Sequence, residues 1–234
     1  KGTSPTPPVI PSPSPSQTVA PSPSPTQSPI DVPNPLIHYT FDSSADDSSG
    51  NGLNGTLVGS AVITTADKKV GTGCLDLTSN TAVPTDENAY VTMPTFTLND
   101  SYSVATWVKF TGYGSGWARL FHFYGTNGVA FIPNDNNTGH PDGPFTTFSQ
   151  IVPGPEYAIW RNGNRAHADV TFPLNTWVHL VFVYEHSTGT VSMYINGTKW
   201  DVWPGDWAQV SLGTLTSNDI GHSSHPSDSE IQGY

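Results

Sequence analysis

Seven tryptophans stand in a chain of 234 residues, and five of them, Trp117, Trp160, Trp200, Trp203 and Trp207, fall in or beside loop-like stretches. A flat indole ring stacks on the apolar face of a pyranose, and a neighbouring Asp, Asn or His bonds the hydroxyls. Trp200-Asp201-Val202-Trp203 followed by Gly205-Asp206-Trp207 is the densest such run. It predicts a carbohydrate platform of Trp200, Trp203 and Trp207, with Asp201 and Asp206 as acceptors. The same rings have a plainer use, packing over the end of a β-sandwich, and both readings stand. Trp107 and Trp177 sit in alternating apolar sequence and read as core.

The remaining reactive residues offer less. Glycoside hydrolysis needs two carboxylates facing each other, about 5–5.5 Å or about 6.5–9.5 Å apart. Asp76, Glu156 and Asp169 are isolated acids in strand-like sequence, and the other acids cluster in loops. No paired set is offered, so the chain reads as a non-enzyme, with glycoside hydrolase a distant alternative. His222-Ser223-Ser224-His225 has a spacing that metals use, but it is loop-like with no third ligand and reads as solvated. His179 lies mid-strand and reads as a hydrogen-bonded histidine. Cys74, the one cysteine, excludes an internal disulfide and reads as a small buried thiol in Gly73-Cys74-Leu75-Asp76-Leu77. No nucleophile–histidine–acid pattern, phosphate loop or dinucleotide motif appears.

Composition bounds the partners. With 19 acidic and 8 basic residues the net charge is −11, which argues against nucleic acid or an anionic membrane. No apolar run approaches the ~18 residues of a membrane span. The chain opens at Lys1 directly into Pro, Ser and Thr, which reads as a mature chain or an excised fragment. Glycine and proline number 22 each and only 12% of residues are charged, a profile of short strands and many turns.

These side chains are positioned by two kinds of sequence. Residues 1–35 hold twelve of the 22 prolines, in PSPSPS (11–16), PSPSPT (21–26) and looser pairs. Proline fixes φ near −65° and extends its neighbour, so this segment is expected to be a polyproline II stalk. From Leu36 the pattern turns to β. Strands are expected at 36–41, 53–58, 74–78, 89–93, 101–110, 119–124, 145–152, 156–161 and 170–172. The clearest pair is Trp177–Gly197, a hairpin whose first strand alternates Val178, Leu180, Phe182 and Tyr184, and whose second alternates Val191, Met193 and Ile195. Asn196-Gly197 then turns the chain into 198–202. His179, Val181 and Val183 make the first strand apolar on its other face too, which predicts a cover on both sides. Regular short strands without a 3.6-residue period predict an all-β, antiparallel two-sheet jelly-roll sandwich.

Tyr39-Thr40-Phe41-Asp42, Asp47-Ser48-Ser49-Gly50-Asn51-Gly52 and Asn54-Gly55-Thr56 open a series continued by Gly71–Leu77, Tyr90–Pro94, Ser103–Trp107 and Trp177–Gly197. In order and spacing this series resembles the laminin-G-like, concanavalin A-like lectin/glucanase domains over about residues 36–234. The resemblance implies a jelly roll found mostly in extracellular proteins that bind sugars or other proteins. It also implies a closing strand after the Gly233-Tyr234 pair, so the domain reads as lacking that strand or borrowing it from another chain. One structural calcium ion near the end of the first strand is a further implication, with Asp42 and Asp47 as candidate ligands and Asp42 the better one. The alternative is that both acids cap turns. The fold's glucanases carry an E-x-D-x-x-E strand, which this sequence does not contain.

The Ser-Pro repeats resemble O-glycosylated stalks and the hydroxyproline-rich wall glycoproteins of plants and green algae. Asn54, Asn99, Asn136 and Asn196 head N-x-S/T sequons. Together these features predict an extracellular, cell-surface or cell-wall glycoprotein. Its module would bind glycan or a neighbouring protein chain, with self-assembly into a fibre or appendage as the structural alternative.

Overall fold

Val178, Leu180, Phe182 and Tyr184 are each exposed by 2% or less, while His179, Val181 and Val183 between them are half-buried. That alternation is the signature of a strand lying on a core with its other face toward the surface. The computed structural model describes residues 34–80, 88–112, 117–133, 146–151, 165–168, 172–200, 211–223, 228 and 230–234. Sixteen strands run through them, and no helix is present among the described residues. The first nine are β1 (Thr56–Val58), β2 (Val62–Thr64), β3 (Cys74–Asp76), β4 (Tyr90–Met93), β5 (Phe96–Leu98), β6 (Tyr102–Val108), β7 (Phe110–Gly112), β8 (Phe121–Gly125) and β9 (Gly128–Ile132). Then follow β10 (Thr146–Ile151), β11 (Arg165–Ala168), β12 (Val178–Glu185), β13 (Thr190–Ile195), β14 (Thr198–Trp200), β15 (Gly213–Ile220) and β16 (Gln232–Gly233).

An eight-stranded sheet runs β1-β4-β15-β8-β9-β10-β11, with β5 also paired to β15, and a four-stranded sheet runs β14-β13-β12-β6. All pairings in both are antiparallel. Their inner faces meet in one core, where Phe182 of the small sheet lies 4.3 Å from Phe131 and 5.9 Å from Phe121 of the large one, centroid to centroid. Rings at these separations pack edge-on or offset, adding to the burial of their area. A second cluster, Ala45, Ala61, Leu75, Leu77, Ala89 and Val91, fills the end under β1 to β4. The all-β sandwich expected from the spacing is the architecture found.

Several details depart from expectation. Residues 36–41 form a single bridge, Tyr39 to Asp47, because Phe41 takes φ +53° and breaks the extended run. The outer face of β12 is half-buried, not covered. β9 is buried on both faces, with all five of its residues inaccessible. Two long or central strands that the periodicity did not suggest, β9 and β15, complete the large sheet. The Pro/Ser stalk and the strand expected at 156–161 lie outside the described residues, and Phe172, at the end of the run expected at 170–172, is a buried core residue that is not in a strand.

The chain's last residues form a separate two-stranded sheet, β16 with β7, just beyond the end of β6. Gln232 and Gly233 pair with Gly112 and Phe110, and Tyr234 exchanges two backbone hydrogen bonds with Lys109, of 2.9 and 3.0 Å. A Cβ on Gly233 would stand 2.3 Å from the Lys109 carbonyl oxygen, so only glycine permits this approach.

Candidate functional site

Antiparallel register sets one row of side chains across three neighbouring strands: Thr92 of β4, Asp219 of β15 and His122 of β8. Val91, Ile220 and Phe121, one residue along, point the other way into the two cores. Two residues from Thr92 on the same outer face stands Tyr90; two residues from Asp219 and His122 stand Ser217 and Tyr124, themselves paired. The result is a polar strip that runs about 14 Å along the strands from Tyr90 to Tyr124, four residues at about 3.4 Å each. Tyr124 is 39% exposed and Ser217 is exposed; Tyr90 and Thr92 are half-buried.

Charge lies beneath one end of this strip. His222 stacks on Tyr90 with centroids 4.2 Å apart and an interplanar angle of 17°. Its Nδ1 is 3.1 Å from Asp219 Oδ2, and its Nε2 is 3.7 Å from Glu230 Oε1. Asn88 Nδ2 donates to the same Glu230 oxygen at 3.1 Å. Glu230 is 2% exposed and its Oε2 has no hydrogen-bond partner. Burial pushes its pKa up to about 7, against the pull of His222. Burial works against charge on His222, but the Asp219 hydrogen bond and the two carboxylates prevail and raise its pKa. His122, almost fully buried, is pushed down to about 3 by burial, with Arg119 and His222 adding to the effect, and stays neutral. Arg119 closes the group by donating to Asp228 at 2.9 Å, a carboxylate that also accepts from Ser223 Oγ at 2.6 Å.

Asp219 and Glu230 therefore flank an imidazole. Their near oxygens are turned to His222. Among the sequence's isolated acids, Asp76 accepts from the amide and hydroxyl of Thr78 as a turn cap, and Glu156 and Asp169 lie outside the described residues.

A second concavity, of about 440 Å³, opens beside β6 between residues 38–42 and 69–77. Leu75, Leu77, Val108, Leu120, Ile220 and Ile231 form its floor, and Trp107, His179 and Tyr234 stand on its rim. Lys109 is ion-paired with Asp67 and lies 4.5 Å over the Tyr234 ring, while Trp177 Nε1 donates to Asp67 at 3.0 Å. Cys74 is buried as expected; its thiol donates to the Asp67 carbonyl, and burial pushes its pKa up to about 11.

Trp200 lies on the edge strand β14 and is 38% exposed, whereas Asp201, Trp203, Asp206 and Trp207 lie outside the described residues. Trp107 is not core: it projects from the outer face of β6, 36% exposed, with His179 at 5.0 Å and the Lys69 ammonium 4.6 Å over its ring. His222 is not solvated, as its stack on Tyr90 shows. Asp47 accepts four hydrogen bonds, from the amides of His38, Ser49 and Leu53 and the hydroxyl of Ser49. These hold it well below the usual carboxylate range in spite of burial, the pattern of a turn cap. Asp42 accepts from the amides of Thr72 and Gly73 and the Thr72 hydroxyl. Among the described residues no three Asp, Glu, His or Cys groups are placed to share an ion. Asn54 accepts from the Asp47 amide and Asn196 from that of His179; Asn54, Asn99 and Asn196 are exposed, and Asn136 is outside the described residues.

The family profile described as the concanavalin A-like lectin/glucanases superfamily matches residues 85–234. Among solved structures, domain 4 of AbnA, a GH43 extracellular arabinanase from Geobacillus stearothermophilus in complex with arabinotriose, is 20% identical, with a TM-score of 0.54 over 83% of this chain and 87% of that one. The potassium-bound Emp46p carbohydrate recognition domain is 13% identical, TM-score 0.45, over 76% and 86%. The heptameric pentraxin of Limulus polyphemus is 11% identical, TM-score 0.40, over 61% and 62%. No curated protein matches.

Proposed function

The chain belongs to the concanavalin A-like lectin/glucanase superfamily, and from that membership we propose that it is an extracellular carbohydrate-binding module whose Tyr90–Tyr124 strip contacts the sugar. The observation that carries this reading is the strip itself. Two tyrosines stand at its ends, with the hydroxyls of Thr92 and Ser217 between them, on a rigid three-strand scaffold. Exposed rings stack on sugar faces, and fixed hydroxyls bond sugar hydroxyls at little ordering cost. The acid–histidine group under Tyr90 orients that ring and carries no catalytic assignment.

Arabinotriose, the ligand of the AbnA domain, is the first probe, followed by a panel of wall polysaccharides, measured by titration calorimetry. Tyr124→Ala weakens binding at least tenfold and leaves Tm within about 2 °C, because the ring is exposed. Unchanged affinity in both Tyr124→Ala and Tyr90→Ala overturns the strip. The Trp200–Trp207 run is a second aromatic surface under the same proposal; loss of binding in Trp200→Ala alone would move the site to β14.

Calcium at Asp42 is the accessory proposal, and Asp42 would hold the ion through its carboxylate with main-chain oxygens of its loop. EDTA is expected to lower Tm, and an unchanged Tm would count against the ion. A fall of several degrees, restored by calcium, would establish the ion.

A further inference from the structure

We propose that one proton shared between His222 and Glu230 holds the Tyr90 ring in place, and so sets the pH range in which the strip grips a sugar. The second half of that statement rests on the strip being the sugar site.

The geometry calls for the proton. His222 lies flat against Tyr90, centroids 4.2 Å apart, with a carboxylate oxygen facing each ring nitrogen. A neutral imidazole carries one N–H, and Asp219, 3.1 Å from Nδ1, is the nearer acceptor. Nε2 then turns a lone pair toward Glu230 Oε1, 3.7 Å away. Lone pair and carboxylate repel unless a proton stands between them, carried by the ring or by the carboxyl. Glu230 is 2% exposed and its Oε2 has no hydrogen-bond partner, so little water reaches the charge.

The described neighbours do not supply that proton. Asn88 Nδ2 and the Ser223 amide donate to the Glu230 carboxylate, which leaves the Nε2 lone pair as it was. His122, paired across the sheet with Asp219, is pushed down to about 3 by burial and stays neutral. Arg119 is ion-paired with Asp228, and its charge works against a proton on His222. Burial, then Asp219 and Glu230, raise the Tyr90 hydroxyl, so the phenol itself stays protonated. His222 and Glu230 are both raised, which puts the loss of their shared proton at or above neutral pH.

That loss reaches the sugar through Tyr90. An imidazolium attracts the π face it lies on, and a neutral ring does not. Repulsion from Glu230 shifts the imidazole, and the phenol stacked on it follows. Tyr124, at the far end of the strip beside the neutral His122, keeps its place. His222 and Glu230 are positioning residues here; neither touches the sugar.

Arabinotriose affinity is measured by titration calorimetry on the 234-residue chain from about pH 6 to about pH 9, while NMR follows the His222 and Tyr90 rings. Affinity falls about fivefold over that range, the worth of one ring contact, and Tyr90 signals shift in step with His222 while those of Tyr124 do not. Glu230→Gln sets an amide N–H against Nε2 at every pH, so its affinity and its Tyr90 signals stay level. A merely structural Glu230 would give the same fall in both chains. That result, or a wild-type affinity that is level across the range, overturns the proposal. If arabinotriose binds at no pH, the sugar reading fails and the NMR signals judge the proton alone. A Tyr90 ring that ignores the His222 titration then overturns it, and one that follows it sustains it.

Discussion

The Tyr90–Tyr124 strip and the β6 cleft lie on one sandwich and are built in opposite ways. In the strip each strand has a neighbour on both sides, so side chains are the main groups that face outward. In the cleft a backbone edge is itself the exposed feature, and the side chains below it are apolar. A surface of the first kind suits hydroxyl patterns; a surface of the second kind suits an extended strand. The buried charges follow the same division, crowding under the strip while the floor of the cleft holds none.

The largest expected effect tests that division directly. Arg119→Ala leaves Asp228 buried without its ion-pair partner and costs about 3–5 kcal/mol by denaturant titration. Exchange should rise first at His222, Ser223 and Glu230, under the strip, before it rises at Lys109. Equal loosening in both regions would mean that they are one cooperative unit.

Protonation gives the next effect. Glu230, with a folded pKa of about 7 against 4.5, contributes stability that is complete below pH 4.5 and lost as pH rises through 7. His222, also raised, contributes stability complete below pH 6.5 and lost as pH rises through its folded value. His122, with a folded pKa of about 3 against 6.5, contributes stability present above pH 6.5 and lost as pH falls through 3. Between pH 4.5 and 6.5 the Glu230 and His122 slopes oppose each other, so stability should be nearly level there. Glu230→Gln removes one of them, and stability should then climb with pH at about 1 kcal/mol per unit across that window. A variant whose pH profile stays level would refute the cancellation. The smallest effect belongs to the cleft: Trp107→Ala loses an exposed ring and its Lys69 contact, about 1 kcal/mol or less.

How much of this could be read beforehand differs element by element. The β12–β13 hairpin was legible because its inner residues alternate without interruption and Asn196-Gly197 closes it. The central strand β15 was not. Its sequence, GTLTSNDI, is polar because its outer residues build the strip and its inner Asn218 donates its Nδ2 to the Pro94 and Leu215 carbonyls. The alternation within β6 was read correctly, but the size of Trp107 suggested burial on a face that proved to be the outer one. The strip joins residues 90, 92, 122, 124, 217 and 219, and only strand pairing brings them together; no local spacing marks it. Asp219 and Glu230, eleven apart in sequence, carry no period at all, and their coupling is visible only through the His222 imidazole between them.

The burial of Cys74 has a practical consequence. The chain's single thiol lines the cleft and is held as a thiol by its surroundings. A maleimide reaches it only when the cleft parts, so the alkylation rate is a built-in clock for that opening and needs no introduced label. A strand seated along β6 would slow the clock in proportion to its occupancy, while a sugar on the opposite sheet would leave it running at the same rate.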